Sequence, residues 1–346
     1  MKPFSPDHPI FQCCLCGERH YAVRMVHIIL FLALGFFIMA SVLGAAELRI
    51  GMIGLDTSHV TAFTSLLNNP ADKNHIPGAR VVAAFKGGSQ DIESSWKRLE
   101  GFTKELQEKW GVQVYDSIEE LCRHVDAVMI ESVDGRPHLE QAKPVIAAHK
   151  PFFVDKPLAG SLRDGIELFR LAREAGVPVF SSSSLRFSKS TQAVRQGLIG
   201  KVARAETSSP CSLEPHHPDL FFYGIHGVES LFTVMGTGCE TVRRGKTADG
   251  KIEVTGVWAE GRNGTFRESK DYVGRAWGEK GEAEVGGYDG YHVLLAAVVK
   301  FFQTGIAPVT PEETLEILAF MEAADESKRQ DGAPVKIKDV LKKAGG

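Results

Sequence analysis

Cysteine is scarce. There are six in 346 residues, and three of them (Cys13, Cys14 and Cys16) stand together near the start. The other three, Cys122, Cys211 and Cys239, are far apart and odd in number, so no disulfide framework is implied. No His or Cys partners follow the early cluster at zinc spacing, so it does not read as a metal site. Excess positive charge is missing as well. Forty basic against 43 acidic residues leave a net charge of −3, and no basic stripe is interleaved with aromatics, which excludes a nucleic-acid partner. Internal repeats and low-complexity linkers are absent. What remains is globular: 43% hydrophobic, 24% charged, and long enough for two domains.

Only one long apolar run occurs, from Ile28 to Ala46, with Arg19 and Arg24 before it. Small residues, Gly44 and Ala46, precede Glu47. The pattern resembles a secretory signal peptide cleaved after Ala46. The competing reading is an uncleaved anchor, because the run is nearly long enough to span a bilayer. Residues 1–24 are long for a leading segment, and Met25 is an alternative start. No adjacent arginine pair precedes the run, and no cysteine follows it closely. Neither a twin-arginine route nor a lipoprotein anchor is therefore indicated. The expectation is export to the periplasm or cell envelope. The alternative is membrane attachment through this segment alone.

After Glu47 the chain alternates apolar runs with amphipathic stretches. Leu48 to Ile53 reads as a buried strand, followed by a turn and the amphipathic stretch Val60 to Leu67. Strand, turn and helix open a dinucleotide-binding unit. Aligned on Gly54, the Gly-x-Gly-x-x-Gly fingerprint needs glycine at 56 and 59, where Asp56 and His59 stand. A carboxylate at 56 would repel a pyrophosphate. Asp56, Thr57 and Ser58 are also possible helix caps. A second strand, Val81 to Phe85, ends in Lys86-Gly87-Gly88-Ser89, which suits a 2′-phosphate better than a bare ribose hydroxyl. If a nicotinamide cofactor binds, NADP is therefore expected ahead of NAD; the competing reading is a surface turn. Residues 91–110 read as a charged helix, and Ser117 to Glu120 has capping-box spacing. Val125 to Ile130 is a third buried strand, and its loop carries Ser132 and ends at His138. A helix from Leu139 to Ala148 leads to Phe152-Phe153-Val154-Asp155-Lys156-Pro157. There a short buried strand runs out into an acid, a lysine and a proline. In an open parallel sheet, ligands bind just beyond the carboxyl ends of strands.

An Asp-Ala-Val strand, a loop ending in His, a helix, and a strand ending in Asp-Lys-Pro together resemble the Gfo/Idh/MocA oxidoreductases. In that family the last motif is Glu-Lys-Pro. The resemblance runs from about Arg49 to Ile337. It implies a Rossmann-like doubly wound parallel sheet over 47–185. Over 186–337 it implies an α+β domain with a largely antiparallel open sheet flanked by helices. It implies that a closing helix, 311–327, packs back on the first domain, leaving 338–346 as a tail. It further implies cofactor contacts from Gly54, Asp56, Thr57, Ser58, His59, Lys86, Ser132, Asp155 and Lys156, and a substrate contact from His138.

The second half fits that outline. Ser161 to Ala175 is a helix with Ser161 as N-cap and Gly176 just past its end. Val177 to Phe180 is a strand, running into Ser181 to Phe187. Short alternating segments follow at Val202 to Thr207, Thr241 to Gly245, Ile252 to Ala259 and Gly264 to Glu268, an antiparallel pattern. Between them Ile225, Val228, Leu231 and Phe232 give a helix a buried stripe, with His226 and Glu229 on one side. By resemblance His226 is the general acid/base on the substrate hydroxyl, Glu229 stands for the acid that trails it, and Arg186 binds a polar substrate group. A structural salt bridge is the competing reading of Arg186. An acid often found four residues before the histidine is replaced by Phe222. Glu214 to Asp219 holds His216-His217, either a substrate-rim loop with His217 reaching the site or a metal pair; no metal is expected.

Two main functions follow. The first is an exported NAD(P)-dependent oxidoreductase acting on a sugar or cyclitol hydroxyl, with Lys156 and His226 catalytic and a homo-oligomer formed through the sheet. The second is a carbohydrate-binding or regulatory protein that keeps the fold without turnover, in view of the two lost glycines. A third, less favoured class is a redox-neutral enzyme that retains its cofactor.

Overall fold

A computed structural model describes residues 47–346. The apolar run, its proposed cleavage site and Cys13, Cys14 and Cys16 lie outside the described residues. The described chain is one compact unit. Among the described residues, no helix is long and apolar enough to cross a membrane.

The first half alternates strand and helix: β1 (Leu48–Ile53), α1 (Ser58–Asn68), β2 (Ala79–Phe85), α2 (Glu93–Trp110), β3 (Gln113–Tyr115), α3 (Ile118–Arg123), β4 (Ala127–Ile130), α4 (His138–Ala147), β5 (Phe152–Asp155), α5 (Leu162–Glu174) and β6 (Val179–Ser182). The strands form one parallel sheet in the order β3-β2-β1-β4-β5-β6, so the order reverses between β1 and β4. β4, β5 and β6 are buried along their whole length, as expected of strands covered on both faces. Ser117 and Ser161 cap their helices through their side chains, as their spacing predicted.

A 3₁₀ turn, Ser184–Phe187, and α6 (Lys189–Arg195) lead into β7 (Val202–Ser209) and α7 (Ile225–Met235). Then come β8 (Cys239–Lys246), β9 (Ile252–Trp258), β10 (Asn263–Glu268), β11 (Val273–Gly278), β12 (Gly281–Gly286), α8 (His292–Thr304), α9 (Pro311–Arg329), β13 (Val335–Lys336) and α10 (Ile337–Ala344). The second sheet runs β12-β11-β7-β10-β9-β8-β13. It is antiparallel except where β7 and β10 pair in parallel. The alternating pattern read from the sequence stops at Glu268, yet the sheet continues through β11 and β12. Their glycines, Gly274, Gly278, Gly281 and Gly286, break the alternation. A second correction concerns residues 338–346, expected as a tail. They lie mostly within α10, whose Ile337 and Val340 are buried while Leu341 packs partly on the core.

The two halves share their cores. One cluster joins the α4 and α5 side of the first sheet to α7, α9 and the inner face of the second. The other lies under α1 and α2, and α8 closes it with Leu294, Leu295, Val298 and Phe301. Phe301 meets Phe180 of β6 edge to face at 4.9 Å. α9 packs on α5 and β6 as well as on β8 and α7. Gly165 of α5 has no room for a side chain there, since a Cβ would come within 2.7 Å of Leu318 Cδ1. Cys122, Cys211 and Cys239 are free and buried, and burial pushes the first two thiols up to about 11 and about 12.

Candidate active site

A cavity of about 380 Å³ opens beyond the carboxyl ends of the parallel strands, roofed by elements of the second half. It sits at the small end of the usual range for ligand sites, ~300–1,000 Å³. Lys156 and His226 both line it. β5 ends at Asp155, so Lys156 is the first residue carried out of the sheet; its side chain is buried, and among the described residues it has no carboxylate within ion-pair range. Its Nζ lies 5.7 Å from the centre of the Tyr223 ring. His226 stands in the first turn of α7, with Nδ1 2.7 Å from Ser183 Oγ. Burial holds its pKa well below the ordinary imidazole range, and the Lys156 charge adds to the effect. It is therefore neutral near pH 7.

Four tyrosines complete the wall: Tyr223, Tyr272, Tyr288 and Tyr291. Tyr272 donates its hydroxyl to Tyr223 at 3.3 Å. Burial pushes the Tyr272 and Tyr291 hydroxyls above the usual phenol range, so both remain protonated donors. Sequence reasoning missed this group. A signal was present in Tyr288-Asp289-Gly290-Tyr291, a polar loop bearing two aromatics just before an apolar helix.

The turn after β1 departs from the expected cradle. Thr57 caps α1 by accepting from the His59 amide, while Ser58 is exposed and lines the cavity with His59. Gly54 has φ +86°, and a Cβ there would fall 2.2 Å from Ser132 Oγ. It is required by the close packing of the β4 loop. Asp56, expected to face a cofactor, is wholly buried. It accepts from the Val133 amide (3.0 Å) and Ser95 Oγ (2.6 Å), tying the turn to the β4 loop and α2. Its charge is thus directed away from the cavity. Ser132 is likewise turned inward, onto Gln141. Lys86 pairs with Glu100 at 2.9 Å.

Three expected substrate contacts are structural instead, and a fourth is turned inside its loop. His138 is buried, with Nδ1 2.9 Å from the Pro157 carbonyl and Nε2 2.9 Å from that of Ser132, so it clamps the β4 and β5 loops together. Burial pulls its pKa down against those two carbonyls. Arg186 is 1% exposed and donates to Glu229 and Glu313; Glu229 also accepts from Ser182 Oγ. The salt-bridge reading of Arg186 therefore describes its place, and Glu229 is its partner. His217 lies inside the loop, its Nε2 2.9 Å from Asp134 Oδ1 but off the line of a hydrogen bond. His216 points outward to Glu214, so the two histidines do not converge on an ion. Asp134 is the hub of its loop. Burial works against its charge, yet His217, Arg136 and Ser89 hold its pKa far below the usual carboxylate range.

Below the cavity lies a buried pair. His59 Nδ1 is 2.6 Å from Asp155 Oδ2, and the His59 ring stacks on Phe63 and meets the edge of Tyr291 at 4.6 Å. Burial would raise the Asp155 pKa, but His59 and Lys156 outweigh it and draw the group down to about 2. Glu131, at the end of β4, lies close to both and is wholly buried; burial and the Asp155 charge push its pKa well above the ordinary range. A larger surface groove of about 540 Å³ near Arg163, Glu322 and Lys343 is walled largely by charged side chains and includes none of these groups.

A two-domain chain with a parallel sheet reversing between β1 and β4, and a cavity at that sheet's carboxyl end, belongs to the Rossmann class of ligand-binding folds. Residues 48–183 match the family model described as "Oxidoreductase family, NAD-binding Rossmann fold". The match, to the Gfo/Idh/MocA oxidoreductase model, covers the parallel-sheet domain. Among curated relatives, 1,5-anhydro-D-fructose reductase of Ensifer adhaerens is 37% identical over 106 residues, covering 29% of this chain and 32% of that protein. The uncharacterized oxidoreductase YhhX of Escherichia coli is 27% identical over 128 residues, covering 34% of each. The chain thus spans about a third of the length of these relatives. The fold extends further. A Thermotoga maritima protein described as a "probable dehydrogenase" superposes with a TM-score of 0.67 at 23% identity, covering 85% of this chain and 100% of its own. Myo-inositol dehydrogenase from Lactobacillus casei, solved with NAD(H) and myo-inositol, gives 0.66 at 16%, covering 84% and 96%.

The cavity residues fit the reactive end of a dinucleotide. The N-terminus of α1 at Ser58, together with Ser94 and Arg98 of α2, lines the same cavity as Lys156 and His226. Helix N-termini and arginine favour an anionic linker, and Asp56 is turned away from it.

Proposed function

We propose that this chain is an NAD(P)-linked oxidoreductase acting on a hydroxyl or carbonyl of a sugar or cyclitol. The observation that supports this most is the pairing of Lys156 with a neutral His226 in one tyrosine-lined cavity of an NAD-binding family domain. A polyol suits the wall, where phenol hydroxyls meet hydroxyls and ring faces meet ring faces. In the tautomer in which Nδ1–H donates to Ser183 Oγ, the Nε2 of His226 is free to accept the substrate's hydroxyl proton. The Lys156 ammonium stabilises the negative charge that gathers on that oxygen. A bound nicotinamide would take up the hydride from the same carbon. Lys86 is paired with Glu100, so the choice between NAD and NADP rests on titration of both.

The test uses the full chain. Purified protein is examined for bound nicotinamide by absorbance and mass spectrometry, then titrated with NAD and NADP by calorimetry. Lys156→Ala and His226→Ala should each lower kcat by ~10²–10⁴-fold with cofactor affinity retained. Arg98→Ala should weaken cofactor binding. Absence of any dinucleotide binding sinks this reading in favour of a carbohydrate-binding protein. The close packing of Ser132 on Gly54, in place of a glycine cradle, is the observation that favours that second reading.

Two further parts of the proposal concern the cell. Residues 1–46 direct export, so mature protein from the envelope fraction should begin at Glu47. Copies pair through the outer face of the second sheet, which light scattering on the purified protein tests.

A further inference from the structure

Three side chains from three elements meet beneath the cavity. His59 comes from the first turn of α1, Glu131 directly follows β4, and Asp155 ends β5. They flank the point where the strand order reverses. One ligating atom of each lies within 4.8 Å of the other two. His59 and Asp155 already touch, at 2.6 Å. Glu131 does not share in that bond. It is 0% exposed, and among the described residues neither of its carboxyl oxygens has a hydrogen-bond partner. Folded proteins rarely leave a carboxyl group so, because removing it from water without compensation is costly. Lys156 does not supply the compensation, since it forms an ion pair with neither acid.

We propose that His59, Glu131 and Asp155 bind a divalent first-row transition metal ion, Zn²⁺ or Mn²⁺. The donor set argues for that class. One imidazole and two carboxylates suit Zn²⁺ and Mn²⁺, whereas Mg²⁺ and Ca²⁺ favour oxygen alone. The spacing is compatible. Ligands held ~2.0–2.2 Å from a tetrahedral ion stand roughly 3.3 Å apart. His59 and Asp155 need only separate by a fraction of an ångström, and Glu131 already lies within 4.8 Å of both. The His59 ring is already positioned by Phe63 and Tyr291. With three protein ligands the ion keeps an open position, and His59 lies on the cavity wall. That position is where a substrate oxygen would reach it. The site is independent of the redox reading: metal binding is measured without dinucleotide or substrate.

The full chain is treated with a chelator and dialysed, then titrated with Zn²⁺ by calorimetry and with Mn²⁺ by electron paramagnetic resonance. One ion per chain is expected. Loss of an outer partner of a metal ligand costs ~10–100-fold in affinity, so Glu131→Gln and His59→Gln should each cost more than about 100-fold. His216→Ala, which alters the exposed loop histidine, should leave binding unchanged. Circular dichroism and melting of each variant establish that it is folded. Absence of stoichiometric binding by either ion overturns the proposal, as does wild-type affinity in folded Glu131→Gln. If neither ion binds and Glu131→Gln instead weakens NAD, the partner of Glu131 is the dinucleotide and the metal reading is wrong.

Discussion

Replacing Arg186 with leucine separates its two readings. The guanidinium joins three parts of the fold: the turn after β6, Glu229 on α7 and Glu313 on α9. Once it is removed, Glu313 still accepts from Arg195 at 3.0 Å and 3.1 Å, and Arg195 reaches solvent. Glu229 keeps only the Ser182 hydroxyl at 2.9 Å, inside a helix buried on every side. Most of the damage therefore falls on one stranded carboxylate. Breaking a buried ion pair in this way costs ~3–5 kcal/mol, a large part of the ~5–15 kcal/mol by which a domain is stable. Urea unfolding at pH 7 should show that loss at unchanged m-value. Adding Glu229→Leu to Arg186→Leu should recover part of the loss, because apolar groups of similar size often replace a buried pair without penalty. A loss under about 1 kcal/mol, combined with a raised KM for substrate, would refute the structural reading and restore Arg186 as a substrate contact.

Gly54→Ala should destabilise the fold by at least ~1–3 kcal/mol from its positive φ alone, and more from the 2.2 Å approach to Ser132 Oγ; a wild-type urea midpoint would contradict this. Acid should also weaken the protein. His138 and His226 have folded pKa values below their unfolded ones, so their contribution is present above ~6.5 and is lost as pH falls through that value. Glu131, with a raised folded pKa, works in the opposite sense and offsets about one of them. The net change in the parent protein is therefore small near pH 6.5, and the histidine-driven loss of stability on acidification should emerge clearly in Glu131→Gln; urea midpoints of that variant that stay flat from pH 7.5 to about 5.5 count against it.

The parallel sheet was legible because most of its strands are short apolar runs bounded by polar loops, and three of its helices are capped by Thr57, Ser117 and Ser161. Lys156 was legible for the same reason: a strand that stops in Asp-Lys-Pro delivers its lysine to the sheet's carboxyl end. The roles of His138, Arg186 and Glu229 were not legible. Whether a histidine or an arginine faces a ligand or another side chain depends on partners far away in sequence: Pro157 for His138, Glu313 for Arg186. Asp56 shows the same effect. Its spacing placed it against a phosphate, and Ser95 and the Val133 amide turned it round. The tyrosine wall was hidden because its members come from α7's approach, β11's approach and the start of α8, three segments with no common pattern.

The helices of the final third have a bearing on how the chain is made. α8 covers Phe153 and Phe180 on one side of the first sheet, and α9 covers Gly165 on the other. Leu162 donates its amide to Glu322 at 2.7 Å. When β6 leaves the ribosome, both faces of the sheet are covered only in part, by α1 and α2 on one side and α4 and α5 on the other. Residues 183–291 must be added before α8 begins, roughly 5–20 s of synthesis at ~5–20 residues per second. For that interval the nascent sheet exposes aromatic surface that attracts chaperones or another unfinished chain. A gene cut at the boundary near residue 185 would leave the protein in that state permanently, so the Rossmann half is better regarded as one side of a single late-closing fold than as a portable module.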